Sequence, residues 1–191
     1  MNATVLLITP PFTQLNTPYP ATAYLKGFLN TRNISSFQCD LGIEVIIELF
    51  SATGLKSLFA TIESAGTAKL SENAMRMLAL KDDYIKYIDP VIHFLQGGNP
   101  TLAHQICKRD ILPEASRFAQ LDDLAWAFGS LGIQDKAKHL ATLYLEDISD
   151  IIKECVDANF GFSRYAEKLA RSANSFDELY EALQQGHTYT D

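Results

Sequence analysis

Two short segments near the N-terminus are the parts of this chain that have the character of β-strands. The first, Val5-Leu6-Leu7-Ile8, is closed by Thr9-Pro10-Pro11, and an unbroken run of this kind is typical of a strand buried on both faces of a parallel sheet. The second covers 36–41, and a helical segment that opens at Pro20 lies between the two. A strand, a crossover helix and a second strand predict one right-handed parallel βαβ unit.

After residue 54 the apolar residues take the spacing of helices. Helices are predicted over 55–65, 72–96, 100–110, 121–131, 134–157, 161–172 and 176–185. The clearest is 134–157, whose apolar stripe should face a core. The stripe consists of Ala137, Leu140, Ala141, Tyr144, Ile148, Ile151, Ile152 and Cys155. The polar residues on its other side, which include His139, Glu146 and Asp150, are interpreted as a solvated face and not as metal ligands.

Two helix starts carry local boundary signals. Asn99-Pro100 predicts an N-cap followed by proline at the first helical position, and Ser175 with Glu178 forms a capping-box pattern. The predicted fold is a predominantly helical α/β fold, with a Rossmann-like βαβ unit over 1–53 and a helical region over 54–191 packed on it as one globular body. Because two parallel strands leave their sheet edges unpaired, we expect the remainder of a full-length protein, or a second copy forming a homodimer, to cover an edge.

Composition excludes several classes of function. The chain has 16 Lys and Arg against 23 Asp and Glu, and the basic residues are scattered, so no nucleic-acid partner is expected. We find neither a signal peptide at the N-terminus nor an apolar run long enough to cross a membrane, which predicts a cytoplasmic protein with no membrane partner. The cysteines Cys39, Cys107 and Cys155 are far apart and odd in number, as expected of reduced thiols.

Three segments of the first 50 residues carry a resemblance to a known family. They are Val5-Leu6-Leu7-Ile8-Thr9-Pro10-Pro11, Thr22-Ala23-Tyr24-Leu25-Lys26-Gly27-Phe28-Leu29 and Cys39-Asp40-Leu41-Gly42-Ile43-Glu44. In this order they resemble the start of the cobalamin-binding-type domain at the front of many radical S-adenosylmethionine enzymes. The resemblance implies an N-terminal domain, non-catalytic or cofactor-binding, of an Fe–S oxidoreductase whose substrate is unknown.

The resemblance and the βαβ pattern point to the same place for a ligand. Open α/β folds bind ligands where a strand ends and a helix begins, and the implied cofactor is cobalamin. The residues expected to line this crevice are Thr9, Pro10, Pro11, Thr17, Tyr19, Pro20 and Asp40. No Asp-x-His-x-x-Gly occurs in the chain, so no histidine ligand to cobalamin is expected. The alternative is a rigid, proline-rich connection that binds nothing.

The chain contains no complete catalytic site. The Fe–S cluster of the family needs three thiolates spaced as Cys-x-x-x-Cys-x-x-Cys, and the three widely separated cysteines cannot supply it. The cluster and S-adenosylmethionine are therefore expected only in a region outside this chain, and no catalytic or metal-binding residue is predicted here. The alternative function is a non-enzymatic helical module for protein interaction, for which the Trp126 segment supplies a faint tetratricopeptide-like pattern.

Overall fold

The fold is known from a computed structural model of the chain. The structure describes residues 4–10, 20–66, 69–119, 121, 132–158, 160–162 and 176–184. The chain forms two compact units. Met1–Glu48 with Asn159–His187 form the first, which we call the βαβ unit, and Leu49–Ala158 with Thr188–Asp191 form the second, the helical unit. The predicted domain boundary after residue 53 stays a prediction.

The βαβ unit contains two adjacent strands that run in the same direction. Strand β1 is Val5–Thr9, helix α1 is Pro20–Thr31, strand β2 is Ser36–Asp40 and helix α2 is Leu41–Leu49. The strands pair in parallel, with Val5 opposite Ser36 and Thr9 opposite Asp40. The predicted parallel pairing through a crossover helix is confirmed, as is the predominantly helical α/β class.

The two faces of this sheet differ, and the predicted burial of β1 on both faces is wrong. Helix α1 packs against both strands, and the Gln38 side chain donates a 3.0 Å hydrogen bond to the hydroxyl of Thr22 on α1. Side chains alternate between faces along a strand, so Leu6, Ile8 and Phe37 lie on the other face, where they are 57%, 47% and 61% exposed. Within the described part of the chain, one face is covered and the other is open.

The helical unit is built around its longest helix. Among the described residues, its helices are α3 Ala52–Ala65, α4 Glu72–Ala79, α5 Lys81–Leu95, α6 Leu102–Cys107 and α7 Ile133–Cys155, with a 3₁₀ turn at Ser116–Phe118. Helix α8, Phe176–Gln184, belongs to the βαβ unit. Helix α7 contacts α4, α5, α6 and the 3₁₀ turn. Its predicted apolar stripe is confirmed, because every member is buried except Cys155, which is half-buried.

An aromatic stack lies at the centre of this core. The rings of Tyr84 on α5 and Tyr144 on α7 are stacked with centroids 5.3 Å apart, and the Tyr144 hydroxyl donates a 2.6 Å hydrogen bond to the Tyr84 carbonyl. Phe59 of α3 lies against Tyr84, with ring centroids 6.4 Å apart. The stack therefore joins three helices, and the Tyr144 hydroxyl has the partner that a buried polar group requires.

The start of α4 is fixed by a residue from a distant part of the chain. Ser71 is the N-cap, and its hydroxyl accepts a 3.1 Å hydrogen bond from the N–H of Ala74. The same hydroxyl donates to one carboxylate oxygen of Glu154 on α7 at 2.7 Å, while the Ser71 N–H donates to the other oxygen at 2.8 Å. Glu154 thus binds the N–H and the hydroxyl of the cap residue.

Two of the predicted helix boundaries are wrong. The predicted helix 72–96 is two helices, because the backbone leaves helical geometry at Leu80, with φ −101° and ψ 11°. Helix α6 begins at Leu102 and ends at Cys107, inside the predicted 100–110. Asn99 does not cap this helix, because its side-chain oxygen accepts a 2.8 Å hydrogen bond from the Thr101 hydroxyl. At the other end, Arg109 has φ 60°, so the backbone leaves helical geometry there. Three further predictions fall on residues that the structure does not describe: the helix 121–131 except Leu121, the helix 161–172 except residues 161–162, and the capping box at Ser175.

The turn after α5 requires a glycine. Gly97 has φ 86°, and its N–H bonds the Phe94 carbonyl at 2.9 Å, while the next N–H, from Gly98, bonds the His93 carbonyl. This hydrogen-bonded end resembles a Schellman motif, in which glycine takes the left-handed position.

We expect Gly97→Ala to lower the free energy of unfolding by about 1 kcal/mol, because a Cβ makes positive φ unfavourable. Gly27→Ala is the matched control: Gly27 lies inside α1 with open space around an added Cβ, so we expect a gain of about 0.5–1 kcal/mol. Urea denaturation of both variants measures the two effects. A loss at Gly27 equal to that at Gly97 would contradict the turn geometry.

Among the described residues, no single helix has the length and apolar composition of a membrane span. Helices α2 and α3, which are bent relative to each other, have that length and composition only when they are counted together.

Candidate functional site

The carboxyl end of the two-stranded sheet brings together two of the predicted site residues. Thr9 and Asp40 are register partners at the last position of each strand. Pro10 follows β1 directly, and Pro20 is the first residue of α1. The remaining predicted residues, Pro11, Thr17 and Tyr19, lie outside the described residues.

The N-terminus of α1 lies at this same end of the sheet. Four residues separate the end of α1 at Thr31 from the start of β2 at Ser36, so the last turn of α1 lies near the amino end of β2. A 12-residue helix is about 18 Å long, close to the length of a five-residue strand. The first turn of α1, whose N–H groups have no partner within the helix, therefore lies at the carboxyl end where α/β folds bind ligands.

The side chain of Thr9, at the carboxyl end of β1, is buried and unpaired. Thr9 is 1% exposed, and its hydroxyl has no hydrogen-bond partner. Buried hydroxyls are nearly always hydrogen-bonded, and an unpartnered one costs about 1–3 kcal/mol. The Thr9 hydroxyl can therefore form a new hydrogen bond without breaking one inside the protein.

Asp40 already has a structural role. Its carboxylate accepts a 3.2 Å hydrogen bond from the N–H of Ile43, in the first turn of α2. One oxygen of this half-buried carboxylate thus caps α2, and the other oxygen can accept a hydrogen bond from a ligand. The predicted use of all seven residues as one ligand site stays a prediction.

The fit to cobalamin can be judged from the side chains present. Thr9 offers a hydroxyl and Asp40 a carboxylate oxygen, which suit hydrogen bonds to the amide edge of such a cofactor. No histidine occurs among the described residues of the βαβ unit, so these residues supply no imidazole ligand to its metal. The described part of the chain also contains no cluster of His, Cys, Asp and Glu able to hold a metal ion.

A second polar site, which sequence analysis missed, surrounds Asp147 in the helical unit. Asp147 is fully buried on α7, and its two carboxylate oxygens accept 3.0 Å hydrogen bonds from the N–H groups of Ala115 and Arg117. Burial raises the pKa of this carboxyl to about 6, and the two N–H bonds oppose the rise. A signal for it exists in the sequence, since Asp147 lies three residues after Tyr144 and four before Ile151, within the apolar stripe.

Next to Asp147, an ion pair ties the same segment to α7. The guanidinium of Arg117 donates to both oxygens of Asp150, at 2.6 and 2.7 Å. An open cleft of about 500 Å³ lies beside this pair and is lined also by His139 and Glu146. Because Arg117 and Asp150 bond each other, we interpret this cleft as the rim of a structural network that fixes the 3₁₀ turn on α7.

The raised pKa of Asp147 gives a pH dependence of unusual sign. A carboxyl whose pKa is higher in the folded state than in the unfolded state binds a proton more tightly when folded. Its contribution to stability is thus greatest at low pH and is lost as pH rises through about 6. We expect the wild type to gain about 1 kcal/mol relative to Asp147→Asn between pH 7 and pH 5. Urea denaturation of both proteins at the two pH values measures this difference, and a relative loss at pH 5 would contradict it.

Comparison of the chain with known protein families, with curated proteins and with solved structures gave no match.

Proposed function

We propose that this chain is the N-terminal domain of a radical S-adenosylmethionine Fe–S oxidoreductase, with a βαβ unit of the cobalamin-binding type. The observation that carries the proposal is the carboxyl end of the parallel sheet, where Thr9 and Asp40 are register partners and the Thr9 hydroxyl is buried without a partner. The double proline, the Tyr24-Leu25 helix and the Asp40-Leu41 pair of the resemblance all fall on this unit.

The role of the domain in this proposal is to hold a ligand and not to catalyse. The three cysteines are each half-buried and widely separated in sequence, so the cluster and the S-adenosylmethionine site belong to another part of the full-length protein. The full-length coding sequence tests this assignment. Three cysteines spaced as Cys-x-x-x-Cys-x-x-Cys beyond Asp191 would support it, and a reading frame without them would contradict it.

Cobalamin binding is tested separately by titrating the chain with hydroxocobalamin and recording the visible spectrum. We expect a saturable change that Thr9→Val weakens about tenfold, because the variant keeps the shape of threonine and loses its hydroxyl. The fold should tolerate Thr9→Val, since this hydroxyl has no partner to lose. Thr142→Val, at an exposed threonine of α7, is the matched control. An unchanged spectrum for the wild type would overturn cofactor binding.

The second candidate function is a protein-interaction module. It is favoured by the distribution of exposed apolar side chains: every large hydrophobic residue that is exposed in the described part of the chain belongs to the βαβ unit, except Met75 and Ile133. Leu6, Ile8 and Phe37 are neighbours on the open sheet face, and an exposed apolar patch marks a binding site. A stable partner recovered by the wild type and lost with Leu6→Asp on the open sheet face, together with no change in the cobalamin spectrum, would favour this function over the first.

A further inference from the structure

Helix α1 presents three large apolar side chains outward. The buried residue of α1 is Thr22, which bonds Gln38 of β2. Tyr24, Leu25 and Phe28 are 79%, 52% and 56% exposed. A helix that covers a sheet normally turns its apolar stripe inward, so this reversed arrangement leaves an aromatic and aliphatic stripe for another surface. We call these three residues the α1 stripe.

Helix α2 presents a second apolar pair on its surface. Ile43 and Ile47, one helical turn apart, are each 47% exposed, and we call them the α2 pair. Glu44 lies beside them and is exposed. Both helices belong to the βαβ unit, apart from Leu49 at the end of α2.

The charges next to these two surfaces are of opposite sign. The guanidinium of Arg32 lies 5.4 Å from the ring centroid of Phe28, beside the α1 stripe. Helix α1 contains no acidic residue, and helix α2 contains Glu44 and Glu48 and no basic residue. The α1 stripe is thus apolar with a positive border, and the α2 pair is apolar with a negative border, as in complementary interface partners.

We propose that a second copy of this chain covers these surfaces, with the α1 stripe of each copy on the α2 pair of the other. A twofold axis relates two such contacts and closes the assembly as a dimer. Arg32 of each copy then faces Glu44 of its partner. Two copies that each have a net charge of −7 repel one another. This repulsion is weakest at a contact that places a positive residue of one copy opposite a negative residue of the other.

The apolar area reaches the lower limit for a specific contact. With roughly 200 Å² for a full side chain of this size, the exposed fractions of the five apolar residues amount to about 500 Å² per copy. Two copies reach about 1,000 Å², the area at which an interface becomes specific, before the bordering charged residues are included. This inference goes beyond the proposed ligand-holding role and does not depend on it.

Sedimentation velocity over a concentration series tests the proposal on the whole chain. We expect a monomer–dimer equilibrium for the wild type, and only monomer for Phe28→Asp, which places a charge within the α1 stripe. Met75→Asp is the matched control, because Met75 is also 47% exposed but lies in the helical unit. Its dimerisation should equal that of the wild type, and far-UV circular dichroism checks that each variant is folded.

Charge-reversal variants distinguish this specific contact from nonspecific apolar association. Arg32→Glu and Glu44→Arg alone should each raise the dimer Kd about tenfold, because each places like charges opposite one another at both contacts. The double variant restores opposite charges and should return the Kd to within about threefold of the wild type. A wild type that stays monomeric, loss of the dimer in Met75→Asp, or a double variant weaker than both single variants would each overturn the proposal.

Discussion

Replacing Asp147 with alanine is expected to lower the free energy of unfolding by about 2–4 kcal/mol. The substitution leaves the N–H groups of Ala115 and Arg117 without their acceptor, and each buried donor that loses its partner costs about 1–3 kcal/mol. Urea denaturation followed by circular dichroism measures the loss. Amide hydrogen exchange at Ala115 and Arg117 should accelerate more than exchange in the middle of α7, because these two amides lose the hydrogen bond itself.

Asp150→Ala is the matched control on the same helix. Asp150 pairs with Arg117, but its side chain is 30% exposed and that of Arg117 is 45% exposed. Partly solvated ion pairs contribute less than about 1 kcal/mol. Equal losses in the two alanine variants would show that the buried carboxylate contributes no more than its surface neighbour.

Ile148→Ala is expected to cost about 3 kcal/mol, because it opens a cavity on the buried face of α7. Ile148 is fully buried, and truncation of a buried isoleucine removes its transfer free energy and leaves unfilled volume. Ile133→Ala on the same helix makes the same chemical change at a residue that is 48% exposed, and it should cost less than about 1 kcal/mol. The midpoint of urea denaturation should fall for Ile148→Ala with an unchanged m-value. Similar midpoints for both variants would contradict the packing of α7.

Hydrophobic spacing predicted the elements whose packing is regular. Helix α7 buries the stripe read from its sequence, and β1 and β2 pair as a crossover topology requires. The break between α4 and α5 could not be predicted, because Met77 and Tyr84 are both buried and seven residues apart, as in an uninterrupted helix of two turns. A break that leaves the helical spacing of the apolar residues unchanged cannot be detected from that spacing.

The candidate site was only partly predictable for a different reason. That Thr9 and Asp40 share the end of a sheet follows from topology, which local pattern can indicate. Whether β1 is covered on both faces depends on which elements pack beside it, so its apolar run indicated two buried faces where only one is covered. The position of Asp147 within the apolar stripe was visible in the spacing, but its binding partners were not. They are the N–H groups of Arg117 and Ala115, which lie 30 and 32 residues away in sequence.

The hydrogen bonds between Ser71 and Glu154, 83 residues apart, affect the order in which parts of the chain fold during synthesis. While the ribosome is still adding residues before 154, α4 can form its turns, but the amide and the hydroxyl at its start remain bonded to water. Long-range contacts of this kind form late because the intervening loop must close first. The start of α4 therefore reaches its final form only after α7 has been made.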